Sequence, residues 1–232
     1  MTALPVRPAH QLESLAPEQR WLIEGLWAAQ AVGILGGEPK CCKSFLALDM
    51  AVAVASATPC LRRFHVAHAG RVLLFAAEDA LTTVRQRLEG ICAAADLELA
   101  DLDLQVITAP VLRLDLELDR DRLDDTVRVL RPALLVLDPF VRLHRIDENV
   151  SAEVAPLLDY LRGLQRRYQM AVVLVHHARK GAGHLRAGQR RYAAAPNCTP
   201  GATATSTCVA PARATSSRWP SSTAPALARP CS

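Results

Sequence analysis

This sequence predicts an α/β fold in which a mostly parallel sheet is covered by helices on both faces. Three observations carry that expectation. Residues 31–35, 71–77, 133–138 and 170–175 are nearly continuous apolar runs, each short enough for a strand. Strands buried on both faces read as unbroken apolar runs rather than as alternating ones. Segments of helical period lie between these runs, and strand–helix alternation is the pattern of parallel sheets. Polar residues able to do chemistry stand where the runs end: Glu78, Asp138, His176 and His177. Ligands of open parallel sheets bind at the carboxyl ends of the strands.

The elements follow in order. Residues 1–15 read as a loose leader. Residues 16–30 predict a helix with Trp21, Leu22, Leu26 and Trp27 on one side, against the core. A strand over 31–35 leads into a glycine-containing loop, and a helix starting near Phe45 ends near Thr58-Pro59. Residues 61–70 read as a loop. A strand over 71–77 is closed by Glu78-Asp79, and an amphipathic helix covers 81–95. A short strand over 104–108 and a helix over 120–130 precede the strand 133–138. A helix over 150–167 and a strand from 170 to 175 complete the pattern.

A chain of 232 residues fits one globular domain with a peripheral segment. It contains no charge-free apolar run of membrane-spanning length, and its first residues lack the apolar core of a secretory signal. The expected compartment is the cytoplasm, with no membrane partner. The formal charge of +4 misleads. All 23 acidic residues lie at or before Asp159, and every charged residue after it is Lys or Arg. The basic balance therefore comes from the C-terminal third and is not by itself a nucleic-acid footprint. The seven cysteines show no C-x-x-C pair or metal spacing, so free thiols are expected, with a redox-sensitive loop at Cys41-Cys42 as the alternative.

The loop carries the sharpest chemistry. Gly36-Gly37-Glu38-Pro39-Lys40-Cys41-Cys42-Lys43-Ser44 lies between a strand and a helix, the layout of a phosphate-binding P-loop. Backbone N–H groups at a helix start face an anion, and the helix dipole favours it. The candidate nucleotide-binding residues are Gly37, Glu38, Pro39, Lys40, Cys41, Cys42, Lys43, Ser44 and Phe45. Lys43 reaches the β- and γ-phosphates, and the Ser44 hydroxyl sits on Mg²⁺. The second glycine of the usual pattern is Cys42 here.

Asp138, after four apolar residues, reads as a second Mg²⁺ ligand acting through water, or else as a turn residue before Pro139. Glu78 reads as the general base for an attacking water, or as a solvated acid at a helix start. Asp79 is the substitute base or a helix cap. His176 and His177 read as sensors of the γ-phosphate, or as structural histidines. Arg179 and Lys180, ahead of Gly181-Ala182-Gly183, read equally as a nucleic-acid contact or a surface loop.

In this order the segments 36–47, Phe75-Ala76-Ala77-Glu78-Asp79, Leu134-Leu135-Val136-Leu137-Asp138-Pro139 and 173–181 resemble the RecA-type P-loop ATPases of the AAA family. The resemblance is greatest to the RepA-like branch related to hexameric replicative helicases, and it covers residues 16–187. It implies a RecA-like P-loop NTPase fold, ATP with Mg²⁺, a homo-oligomeric ring, hexameric in the family, and hydrolysis coupled to single-stranded DNA. It implies Lys43 and Ser44 on phosphate and magnesium, Glu78 as catalytic, Asp138 as the Walker B acid and the His pair as the motif after the next strand. The inter-subunit arginine of that family has no equivalent here.

Residues 188–232 change character. Twenty-nine of the forty residues 193–232 are Ala, Pro, Ser or Thr, which cannot build a core. This segment reads as a disordered tail or as out-of-frame text. Arg190 through Val209 back-translate, with free wobble choices, so that another frame reads as a basic turn and a strand. On the second reading the last strands of the sheet are missing. Two functional alternatives to a DNA-coupled ATPase stand beside it: a regulatory ATPase acting on a protein partner, and a non-catalytic remnant.

Overall fold

The structure, a computed structural model, describes residues 4–12, 16, 19–147 and 150–177. Among these, a two-stranded hairpin, β1 (Trp21–Ile23) and β2 (Trp27–Ala28), precedes the main sheet. The sheet is built from β3 (Val32–Gly37), β4 (Val72–Ala76), β5 (Leu104–Val106), β6 (Leu134–Asp138) and β7 (Ala171–His177). The helices are α1 (Lys43–Ser56), α2 (Leu81–Ala94), α3 (Glu117–Leu130) and α4 (Ser151–Tyr168). The strand order is β3-β7-β6-β4-β5, and every pairing in this sheet is parallel. The α/β architecture with a parallel sheet and helices on both faces, a RecA-like P-loop NTPase fold, is therefore as the sequence predicts.

Side chains of successive strand residues go to opposite faces, and the core divides accordingly. Val72, Leu74, Leu134, Val136, Ala171, Val173 and Val175 join one cluster with α1, α2 and the hairpin. Leu73, Phe75, Leu135, Leu137, Val172 and Leu174 join another with α3 and α4. Both faces of the three central strands are thus dry, which is why their sequences are apolar throughout. Helix α1 has buried residues almost all round from Ala47 to Ala55 because it lies between the sheet and α2. Among the described residues β3 pairs only with β7 and forms one edge of the sheet; β5 forms the other. The tail at 188–232, where further strands are missing on the out-of-frame reading, lies outside the described residues.

One element departs from expectation. Residues 16–30 are not a helix: Trp21–Ile23 and Trp27–Ala28 pair antiparallel. Gly25 takes φ +68°, a left-handed turn that glycine adopts freely, and the Leu26 N–H donates to the Ile23 carbonyl at 3.0 Å. The apolar spacing fits a helix face, but the turn lets Ile23, Leu26 and Trp27 be buried together while Trp21 stays 42 % exposed. Trp27 lies directly on β3. A Cβ at Gly33 would come within 2.6 Å of the indole ring, so any side chain here would force the ring or the strand to shift. The described helices are also too short or too polar to cross a membrane.

Gly33→Ala is expected to lose about 1–3 kcal/mol of stability through this overlap. Urea unfolding measures it; an unchanged midpoint would mean that Trp27 does not rest on β3.

Candidate functional site

Parallel register brings the carboxyl ends of four strands to one edge. Gly36 pairs with His176, Gly37 with His177, and Ala76 with Asp138. The Ala77 N–H donates to the Asp138 carbonyl at 2.7 Å, carrying the ladder one step past β4. The loop over residues 38–42 leaves β3 here and turns into α1.

The loop is tight. A Cβ at Gly37 would sit 2.9 Å from Cys41 Sγ and 3.6 Å from Lys43 Cδ, so the chain folds back over this glycine. Lys40 and Cys42 take left-handed backbone angles, φ 65° and 62°. Cys42 is the cap residue just before α1, with ψ 25° and its carbonyl accepting the Leu46 N–H at 3.0 Å. A non-glycine residue in this region costs on the order of 1 kcal/mol. The usual glycine at position 42 thus answers a demand for positive φ, and cysteine meets that demand under strain with its side chain exposed.

Lys43 is buried, and its ammonium folds over the loop. Nζ donates to the Glu38 carbonyl at 2.7 Å and to Cys41 Sγ at 3.5 Å. The positive charge is thereby held inside the concavity of the loop. The N–H groups in the first turn of α1 have no acceptor one turn back within the helix, and that turn carries no acidic residue. An external anion is the natural complement of such an end.

Across from the loop, Ser44, Ala76, Glu78, Asp79, Arg87 and Asp138 line a cavity of about 200 Å³. Asp138 is buried at the end of β6, and Glu78 is exposed just after β4. The donors facing the cavity are hydroxyl and carboxylate oxygens, the hard set that suits Mg²⁺. No cluster of three or more His, Cys, Asp or Glu suited to holding a metal ion occurs among the described residues.

The structure therefore brings together Gly37, Lys43, Ser44, Glu78 and Asp138. His176 lies at the same edge, half-buried, with its ring centroid 6.4 Å from Phe140. His177 is the last residue of β7, and its side chain lies outside the described residues, as do Arg179 and Lys180. Glu38, Pro39 and Lys40 form the exposed outer part of the loop. Phe45 points away from the cavity: its ring lies under the Arg87 guanidinium at 5.1 Å and lines a separate groove between α1 and α2. Asp79 does not cap α2. Its carboxylate takes a bidentate pair of hydrogen bonds from Arg87, at 2.5 and 3.1 Å, because Arg87 lies two turns into the helix and faces back toward the strand end.

Two arginines at this edge escape a motif reading. Arg87 lines the cavity and holds Asp79. Arg142, on the 3-10 turn Phe140–Leu143 that follows Asp138, pairs with Glu78 at 3.3 Å. Neither stands in a motif; the available signals are Arg87 eight residues after Asp79 and Arg142 four after Asp138.

A family model described as an AAA domain matches residues 2–183, most of the chain and all of these elements. The chain belongs to that family.

Cys42→Gly is expected to raise stability by about 1 kcal/mol by relieving the left-handed strain. Chemical denaturation reads the change; a loss of stability would mean that the cysteine side chain supplies more than the strain removes.

Proposed function

We propose that this AAA-domain chain binds ATP with Mg²⁺ at the carboxyl edge of its sheet and hydrolyses it. The observation that carries the reading is the placement of Lys43 and Ser44, at the start of α1, opposite Asp138 and Glu78. The loop over Gly37, Glu38, Pro39, Lys40, Cys41, Cys42 and Phe45 cradles the phosphates through its backbone. Lys43 exchanges the Glu38 carbonyl for phosphate oxygens. Ser44 and Asp138 would hold the ion. Bound Mg²⁺ would neutralise charge developing on the phosphates. Glu78 accepts a proton from a water lined up with the γ-phosphorus, and the displacement is direct, with no covalent intermediate. Arg142 orients Glu78 before substrate arrives, and His176 and His177 report on the γ-phosphate.

The finer reading is a RepA-like ATPase of residues 16–187, acting in the cytoplasm as a ring of identical subunits. There hydrolysis is coupled to single-stranded DNA, with Arg179 and Lys180 as backbone contacts. Its support is the order of motifs and the basic run after β7. A regulatory ATPase working on a protein partner rests on the same site and differs only in the coupling.

Lys43→Ala is expected to weaken Mg²⁺–ATP binding at least tenfold in titration calorimetry; equal binding by both forms would overturn the loop assignment. Glu78→Gln is expected to retain binding and lose about 10²- to 10⁴-fold in turnover. Single-stranded DNA is expected to stimulate turnover, with the effect falling steeply as salt rises. Salt-independent turnover indifferent to DNA would favour the regulatory reading.

A further inference from the structure

Two consecutive cysteines lie inside the loop, and they differ in kind from the other described cysteines. Cys41 and Cys42 are exposed, whereas Cys60 and Cys92 are buried. The Cys60 thiol donates to the Asp49 carboxylate at 3.1 Å, and burial beside that acid pushes it well above the usual thiol range. Burial also pushes Cys92 up. Thiols so placed are poor nucleophiles, while exposed thiols beside cationic groups are the ones oxidants reach first. Cys41 has that setting: its sulfur accepts the Lys43 ammonium at 3.5 Å and lies against Gly37, on the inner side of the turn.

We propose that Cys41 is a reversible thiol-modification site, at which a small anionic disulfide of the glutathione type closes the phosphate loop. The inference rests on the nucleotide reading of that loop. In the exchange the Cys41 sulfur attacks one sulfur of the disulfide. A new S–S bond forms, the old one breaks, and the departing half leaves as a thiol, carrying a proton equivalent to the one Cys41 gives up. Cys41 is oxidised and the small disulfide is reduced, so no other oxidant is needed. Neighbouring Cα atoms are 3.8 Å apart, shorter than the ordinary span of a disulfide. Cys42 is therefore a poor resolving partner, and the mixed disulfide is the product that persists. Its carboxylates lie within reach of Lys43, the cation that the phosphates require, and its bulk fills the concavity over Gly37. By reciprocity, bound nucleotide protects the thiol.

The test uses the full chain with Cys198, Cys208 and Cys231 changed to Ser, so that labelling reports on the described cysteines. It is treated with glutathione disulfide and mapped by peptide mass spectrometry. Mg²⁺–ATP affinity is measured before treatment, after it, and after reduction with dithiothreitol. The expected result is an adduct on Cys41 ahead of Cys60 and Cys92, a loss of affinity of at least tenfold, and recovery on reduction. Mg²⁺–ATP is expected to slow the labelling. C41S is expected to lose the response to the disulfide, read as the ratio of treated to untreated affinity within that variant. C42S is expected to keep it. An adduct that forms first on Cys42, Cys60 or Cys92, no adduct at all, or an adduct on Cys41 that leaves affinity unchanged overturns the proposal. If the untreated chain binds no nucleotide, the ATP reading falls and the switch with it. If it binds and the adduct changes nothing, the switch alone falls.

Discussion

The parallel hydrogen-bond ladder is the constraint on which the rest depends. Strands running the same way must all present their carboxyl ends at one edge. The pairings Gly37–His177 and Ala76–Asp138 fix which residues arrive there. Register in this sheet is strongly specified, because a one-residue slip would exchange the two core faces. Val136 would leave the α1–α2 side for the α3–α4 side, and Asp138 would lose its place beside Ala77. The same packing that stabilises the fold therefore sets the geometry of the candidate site. The buried Asp138 is tolerated because it lies at the last position of β6, where the dry core gives way to a polar cavity.

The loop shows how backbone shape and side-chain space divide the work between residues that a motif treats alike. Gly37 is favoured for room, since a Cβ would strike the Cys41 sulfur. Position 42 requires positive φ but leaves its side chain in the open, so cysteine fits at a cost in strain rather than by collision. Lys43 bridges the turn through the Glu38 carbonyl, holding a charge where charge is needed before any ligand arrives. That is preorganisation of a simple kind, a cation kept within the loop by a backbone acceptor.

Much of this was legible in the sequence because it depends on periodicity and end residues. The unbroken runs around Leu73, Leu135 and Val173 marked strands buried on both faces, and the polar residues closing them marked the edge. The hairpin at Trp21–Ala28 was not legible: its apolar spacing is that of a helix, and only the conformation at Gly25 and the indole against Gly33 decide otherwise. The Arg87–Asp79 and Arg142–Glu78 pairs were not legible for a different reason. Each joins residues from separate elements or distant turns, and charge partners chosen by tertiary packing leave no fixed spacing. The direction of the Phe45 side chain was not legible either, because a motif gives order along the chain, not which way a side chain leaves the helix.

Amide hydrogen exchange of the full chain, with and without Mg²⁺ and ATP, addresses the site as a whole. A nucleotide seated at the carboxyl edge requires new protection over residues 36–46, at the end of β4 and around Asp138, with the groove between α1 and α2 unchanged. Protection confined to that groove, or none at the loop despite saturating nucleotide, would contradict the placement of the site.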